Sequence, residues 1–226
     1  MAKAKAKTKP CDGAQDGGSG GEGILSEAFF EARKAELAGR VKPKRFKHSL
    51  GVSDTARDMA KAYGADVELA TLAGLLHDWD KGYDDEGIRA RVNELGLSDA
   101  LSGYLDMPHL LHGPTAAAAL KRDFPDLPDE LTHAIAVHTS GCASMSDLDM
   151  IIYVADAIEP ARDYPSVAEL RDMVGKVELE ELFLATFQHV LENLVSRRKR
   201  IHPDAVAIWN HYVERARARK ASKNER

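Results

Sequence analysis

The sequence predicts an all-α protein of about eight to ten helices, and three observations carry that reading. Apolar residues recur at helical spacing along most of the 226-residue chain. Alanine is frequent inside those stretches, and aromatic residues make up only 6%. No segment alternates apolar and polar residues with period two, and no Asn-Gly turn marks a hairpin. In chain order, the first helix spans Ile24 to Arg40, with Ile24, Leu25, Ala28, Phe29, Ala32 and Leu37 forming its apolar face. Pro43 precedes a second helix from Lys44 to Tyr63, closed by Gly64. Asp66 caps a third that runs through Leu69, Leu72, Leu75 and Leu76 to His77. A loop, Trp79 to Tyr83, leads to a short helix from Asp85 to Leu95. Gly113-Pro114 opens the next, proline in its first turn, ending at Phe124. Pro128 begins one ending at His138, Ser146 begins one carrying Met150, Ile151, Val154 and Ala155, and Glu178 to Ser196 and Pro203 to Arg219 complete the series. No repeat with a period of 20 to 50 residues interrupts it.

Composition narrows the function. A hydrophobic share of 44% is enough for one real core at this length. The net charge of −5 disfavours a protein that coats duplex nucleic acid by neutralising phosphates, so no specific nucleic-acid partner is expected. Cys11 and Cys142 make neither a disulfide framework nor a zinc-knuckle spacing. No apolar run approaches the roughly 18 residues of a membrane span, and the N-terminus lacks the apolar centre of a signal peptide. The expectation is a cytoplasmic protein with reduced thiols and no membrane partner. Residues 1–23, alternating Ala and Lys and then rich in Gly, read as a disordered leader. Residues 24–213 read as the folded domain, and 214–226 as a basic tail that ends as a fraying helix. The run Arg197 to Arg200 suits a helix C-terminus, where cations complement the dipole.

The chemistry lies in a set of imidazoles and carboxylates at helix ends. His48 falls in the first turns of its helix, and His77-Asp78 closes the leucine-rich one. His112 stands at the entrance marked by Gly113-Pro114, which favours it over His109. His138 ends its helix, and Asp156 follows the apolar run Met150 to Ala155. Adjacent helical residues point about 100° apart, so His77 and Asp78 can share a centre only where the helix terminates. A carboxylate in an apolar helix is costly unless partnered; a metal would remove that cost for Asp156, with a backbone or arginine hydrogen bond as the alternative. Taken singly, each histidine fits a satisfied core residue. Six groups in this pattern favour a metal site, with a donor set suited to iron, manganese, zinc or magnesium. Trp79 fits core packing better than base stacking. His133 fits the helix surface, and His189 and His211 carry no assigned chemistry.

The order His48, His77-Asp78, Asp156 resembles the H…HD…D signature of the HD superfamily of metal-dependent phosphohydrolases. Narrower words resemble one branch, the YqeK-type symmetrical diadenosine tetraphosphatases. These are Arg45-x-x-His48-Ser49-Leu50-Gly51-Val52, Leu75-Leu76-His77-Asp78-x-x-Lys81, Leu111-His112-Gly113-Pro114 and His138-Thr139-x-Gly141. Ile152-Tyr153-x-Ala155-Asp156-x-Ile158-Glu159-Pro160-x-Arg162 and Ile201-His202-Pro203 complete the set, which spans Lys44 to Asn210. The resemblance implies an HD-domain helical bundle with a two-metal centre, most often iron, with manganese, magnesium, zinc or cobalt as alternatives. His48, His77, Asp78 and Asp156 would hold one ion, and Asp78 would bridge to a second held by His112 and His138. It also implies symmetrical hydrolysis of diadenosine tetraphosphate to ADP by a metal-activated water, with ADP and other nucleoside diphosphates, GDP included, as ligands and pairing of two copies left open. Asp78, Lys81 and Arg45 would carry the reaction; Lys81, Arg45, Thr139, Arg162 and His202 are substrate contacts.

Rival readings stay open at this stage. The guanosine tetra- and pentaphosphate hydrolases of the superfamily carry a Glu-Asp pair where this chain has Lys81-Gly82, and the Gly-Tyr-Pro word of the cyclic-dinucleotide branch is absent. A nucleotidase, a deoxynucleoside triphosphate hydrolase, a non-catalytic nucleotide-binding helical module and a basic-tailed RNA-associated protein are the alternatives.

Overall fold

The computed structural model describes residues 23–224, and among them stand ten α-helices and no strand. Residues 1–22, most of the expected leader, and residues 225–226 lie outside the described residues. Helix α1 spans Glu27–Arg40; it starts later than expected because Ser26 caps it, its side chain accepting the Phe29 N–H at 3.1 Å. Helix α2 is Pro43–Tyr63, with proline at its start and Gly64 at its end in the left-handed region, φ 73°. Helix α3, Val67–Leu76, is capped by Asp66, and α4, Asp85–Glu94, by Asp84. Two 3₁₀ turns follow, Ser102–Tyr104 and Pro108–Leu110. Then come α5, His112–Asp123, α6, Asp129–Val137, and α7, Asp147–Ile158, which opens on a Ser146–Asp149 capping box. Helices α8, Val167–Met173, α9, Leu179–Ser196, and α10, Pro203–Asn224, complete the bundle.

Helix α8 has no counterpart in the sequence reading. It is seven residues long and buries only Val167 and Leu170, too little to display a helical period. Helix α10 continues past residue 213, and its Arg215 and Arg219 both reach Glu180 of α9 at 2.7 Å. Among the described residues, no helix is long and apolar enough to cross a membrane.

The bundle is built around α3 and α7. Ala70, Leu72, Ala73, Leu75 and Leu76 are all buried, and so is the whole run Leu148 to Ala155. Each leucine, isoleucine, valine or methionine among them contributes about 1.5–3 kcal/mol on burial, so these two helices are pulled to the middle. Helix α2 packs along α3, α5 against α6, α6 and α9 against α7, and α10 on α9. A polar group at the end of α3 or α7 is thereby delivered into the interior. Gly74 sets how close α2 and α3 come: a Cβ there would lie 2.8 Å from the Ser53 Cα. That approach brings the His48 and His77 rings to 5.2 Å between centroids. A smaller apolar cluster, Ile88, Val92, Leu101 and Leu111, holds α4 and the 3₁₀ turns against the entrance to α5.

Candidate metal centre

Five helices deliver six side chains to one place. His48 comes from the second turn of α2, and His77 and Asp78 from the end of α3. His112 is the first residue of α5, His138 the C-cap of α6, and Asp156 stands in the last turn of α7. All but Asp156 are buried; its side chain keeps 25% exposure and faces the opening.

Each imidazole is held by the same device. Nδ1 of His77 donates to the Gly74 carbonyl at 2.7 Å, that of His112 to the His109 carbonyl at 2.9 Å, and that of His138 to the Ile135 carbonyl at 2.7 Å. His48, farther from its helix end, donates instead to the Glu159 carboxylate at 3.0 Å. A carbonyl or carboxylate can only accept, so the hydrogen of each neutral ring sits on Nδ1 and the lone pair of Nε2 points inward.

Those four inward nitrogens surround the two carboxylates. Asp78 divides its oxygens: Oδ2 lies 3.3 Å from His77 Nε2 and 3.7 Å from His48 Nε2, whereas Oδ1 lies 3.3 Å from His112 Nε2 and 4.0 Å from His138 Nε2. Asp156 Oδ1 is 2.9 Å from His48 Nε2 and 3.9 Å from His77 Nε2. Two groupings result, His48 with His77 and Asp156, and His77 with Asp78 and His138; within each, the ligand atoms lie within 4.8 Å of one another. His112 joins the second through a 3.1 Å approach of its Nε2 to that of His138.

The donor set fits a cation on electrostatic grounds. Nε2 of His48 and of His77 are buried with no hydrogen-bond partner, a state that costs about 1–3 kcal/mol each. The His112 and His138 lone pairs lie 3.1 Å apart, and the Lys81 ammonium at 3.3 Å and the Thr139 hydroxyl at 3.0 Å offset part of their repulsion. Burial, reinforced by His112 and His77, pushes the His138 ring down to about 3, and burial also lowers His112. Burial works against charge on His77 too, yet Asp78 and Asp156 hold its pKa above the ordinary value. Burial likewise opposes ionisation of Asp78, but His77 and His112 keep its carboxyl well below the usual range. The pocket is thus arranged as anion and lone pairs awaiting positive charge, the requirement of a metal ligand set.

The expected substrate contacts divide. Arg45 Nη1 donates to Asp78 Oδ2 at 2.9 Å, and Arg162 donates to Asp156 Oδ1 at 2.6 Å, so the arginine partner left open for Asp156 is present. Lys81 Nζ sits 3.3 Å from His112 Nε2, with burial lowering its pKa. The Thr139 hydroxyl is 3.0 Å from His138 Nε2. His202 stands apart: it stacks on Tyr104 at 3.9 Å, donates to the Gly103 carbonyl at 3.2 Å, and reaches none of the six. Trp79 is core, with Arg40 over its ring at 4.5 Å, and His133 is a half-exposed partner of Asp149. Glu159 is the residue that sequence reasoning left without a role. It is buried, holds His48, and is seated because Gly51 opposite lacks a side chain: a Cβ there would meet Glu159 Oε2 at 2.8 Å. Its signal is a carboxylate just after the apolar run of α7 and before Pro160.

A helical bundle that turns lone-pair nitrogens and two carboxylates onto one centre defines a metal-binding helical enzyme. The HD domain matches residues 45–161. The symmetrical bis(5'-nucleosyl)-tetraphosphatase of Halalkalibacterium halodurans is 34% identical over 75% of this chain and 89% of its own length. The chain belongs to the HD-domain family, in its YqeK-type branch. The Staphylococcus aureus protein of the same name is 31% identical over 81% of this chain and 94% of its own. The crystal structure of a predicted HD superfamily hydrolase involved in NAD metabolism from Clostridium acetobutylicum superposes with a TM-score of 0.76 at 32% identity, covering 82% of this chain and 97% of that one.

Proposed function

We propose that this protein is a cytoplasmic, metal-dependent hydrolase that cuts diadenosine tetraphosphate at its central anhydride into two molecules of ADP. The observation that carries the reading is the convergence of four Nε2 lone pairs on Asp78 and Asp156, each ring locked through Nδ1. The relatives whose names state this activity support it. In this reading His48, His77, Asp78 and Asp156 would hold one ion, and Asp78, His112 and His138 would hold a second. The mixed imidazole and carboxylate set suits iron, with manganese, magnesium, zinc and cobalt as alternatives. Bound there, the ions supply a nucleophilic water at neutral pH and neutralise phosphate oxygens.

The chain's own groups do the rest. Arg45 and Arg162, each resting on a ligand carboxylate and each partly open to solvent, turn outward to take phosphate oxygens. Lys81 stands over the His112 side, where charge develops on the departing diphosphate. Thr139 offers its hydroxyl beside His138. His202 lines a neighbouring cavity with Thr139 and meets the substrate away from the reacting phosphates. In the reaction, water oxygen bonds to one central phosphorus and the bridging oxygen leaves as a terminal oxygen of the other ADP. The protons of water go to solvent. Product chromatography on metal-loaded protein tests this: ADP alone is expected, whereas AMP plus ATP, or no turnover, overturns it.

A further inference from the structure

A symmetrical substrate meets unequal walls here. Arg162 and Tyr164 line two cavities that both reach the centre, one through Asp156 and His138 and the other through His48. One, of about 470 Å³, is bordered by Asp156 and His138 and walled by Tyr164 and His189. Those two rings stack at 4.3 Å between centroids with only 11° between their planes. Both are fixed from behind: the Tyr164 hydroxyl donates to the Ala157 carbonyl at 2.8 Å, and His189 Nδ1 lies 2.7 Å from Ser166 Oγ. Asn193 and Arg197 supply polar groups at the rim. The other cavity, of about 700 Å³, is bordered by His48 and Arg45 and carries Lys42, Lys44 and Lys47; its only rings are Tyr164 at the shared edge and the buried His48 imidazole, which is held by Glu159 and faced by Asp156. These lysines take part in no ion pair among the described residues.

From this asymmetry we infer that Tyr164 and His189 form the platform on which one nucleobase of the substrate stacks, while the lysine-lined cavity receives the second half through its phosphates alone. The inference rests on the dinucleotide reading above and adds the residues that set base specificity. A flat base extends an existing stack with little loss of freedom, because both rings are already immobilised; a purine gains more than a pyrimidine through its larger face. The lysines recognise charge and are indifferent to the base beyond it. The enzyme therefore reads one nucleoside and tolerates many substitutes for the other. Adenosine 5'-tetraphosphate, which has no second nucleoside, becomes a substrate: water adds at the same central anhydride and the products are ADP and pyrophosphate.

The test uses metal-loaded full-length protein with diadenosine tetraphosphate, adenosine 5'-tetraphosphate and inorganic tetrapolyphosphate. The wild type is expected to cut adenosine 5'-tetraphosphate to ADP and pyrophosphate with kcat/KM within about tenfold of that for the dinucleotide, and inorganic tetrapolyphosphate far less well. Tyr164→Leu and His189→Leu should each raise KM for both adenosine substrates about tenfold, leave kcat within about threefold, and leave KM for tetrapolyphosphate unchanged. Tyr164→Phe, which keeps the ring, should recover the affinity that the leucine variant loses. Metal content and thermal unfolding of each variant identify any that misfold, and ADP binding measured by calorimetry on the others reads the platform independently of turnover. Equal KM in the leucine variants, or failure of the wild type to cut adenosine 5'-tetraphosphate while it cuts the dinucleotide, overturns this inference alone. Failure of the wild type to cut the dinucleotide overturns the functional reading and this inference together.

Discussion

Asp78 and Asp80 lie two residues apart in one loop, and each keeps 2% exposure or less, yet they meet opposite surroundings. Asp80 is fully answered: Arg40 Nη2 donates to Oδ1 at 3.1 Å and Arg91 Nε to Oδ2 at 3.2 Å, tying the loop to α1 and α4. Asp78 receives one arginine hydrogen bond at 2.9 Å, and its other near neighbours are Nε2 atoms that carry lone pairs. Burial of charge therefore does not identify the centre, because it is common to both. The distinction is whether the surrounding atoms donate or accept. A carboxylate enclosed by donors is finished as a structural element, and one that faces mostly lone pairs has the surroundings a cation would complete.

Exchanging alanine into the two positions gives the widest separation. Asp78→Ala should lower turnover about a thousandfold, as expected when several kcal/mol of metal-derived stabilisation is lost. It should also reduce metal content and leave the metal-free protein at its original stability or above. Asp80→Ala should cost about 1–3 kcal/mol by removing the buried acceptor shared by Arg40 and Arg91, which keep the Trp79 carbonyl and the Glu94 carboxylate as partners, while each folded molecule still binds metal. Calorimetry and elemental analysis on both variants check the pair; a stable, metal-free Asp80→Ala protein would reverse the assignment. A finer probe is Glu159→Gln, which retains an acceptor for His48 Nδ1 but removes the charge behind it. Metal affinity should fall about 10–100-fold with little change in folding, read by competition with a chelator.

The smallest effect is expected at a third buried carboxylate, again one closed by donors. Burial opposes ionisation of Glu180, but Arg215 and Arg219 hold its carboxyl below the ordinary value. A depressed pKa in the folded state adds stability above the unfolded pKa and loses it as pH falls through the folded one. The arginines are largely exposed, so the gain is about 1 kcal/mol or less. Glu180→Gln should flatten the acid limb of the Tm-against-pH curve below about pH 4.3 and leave neutral activity alone.

Much of the centre was legible because three of its four locks are local. His77, His112 and His138 each donate to a carbonyl three residues earlier, so a histidine at a helix end brings its own orientation. The Gly113-Pro114 cue separates His112 from His109 for the same reason: one imidazole turns inward and the other residue supplies the carbonyl that holds it. Glu159 escaped because its contact with His48 spans 111 positions, and no local pattern announces such a partner. Tyr164 and His189 escaped likewise, since they meet only when α9 folds back beside the loop after α7. His202 shows the converse: it lies in a word shared with the family, yet it is engaged with Tyr104 and the 3₁₀ turn.

Gly74 serves two masters. Its missing side chain lets α2 and α3 touch, and its carbonyl aims His77. A methyl group introduced there would press on the Ser53 backbone, part the helices and shift the carbonyl that holds the imidazole. Helix spacing and ring orientation thus depend on the same residue, and neither can be altered there alone.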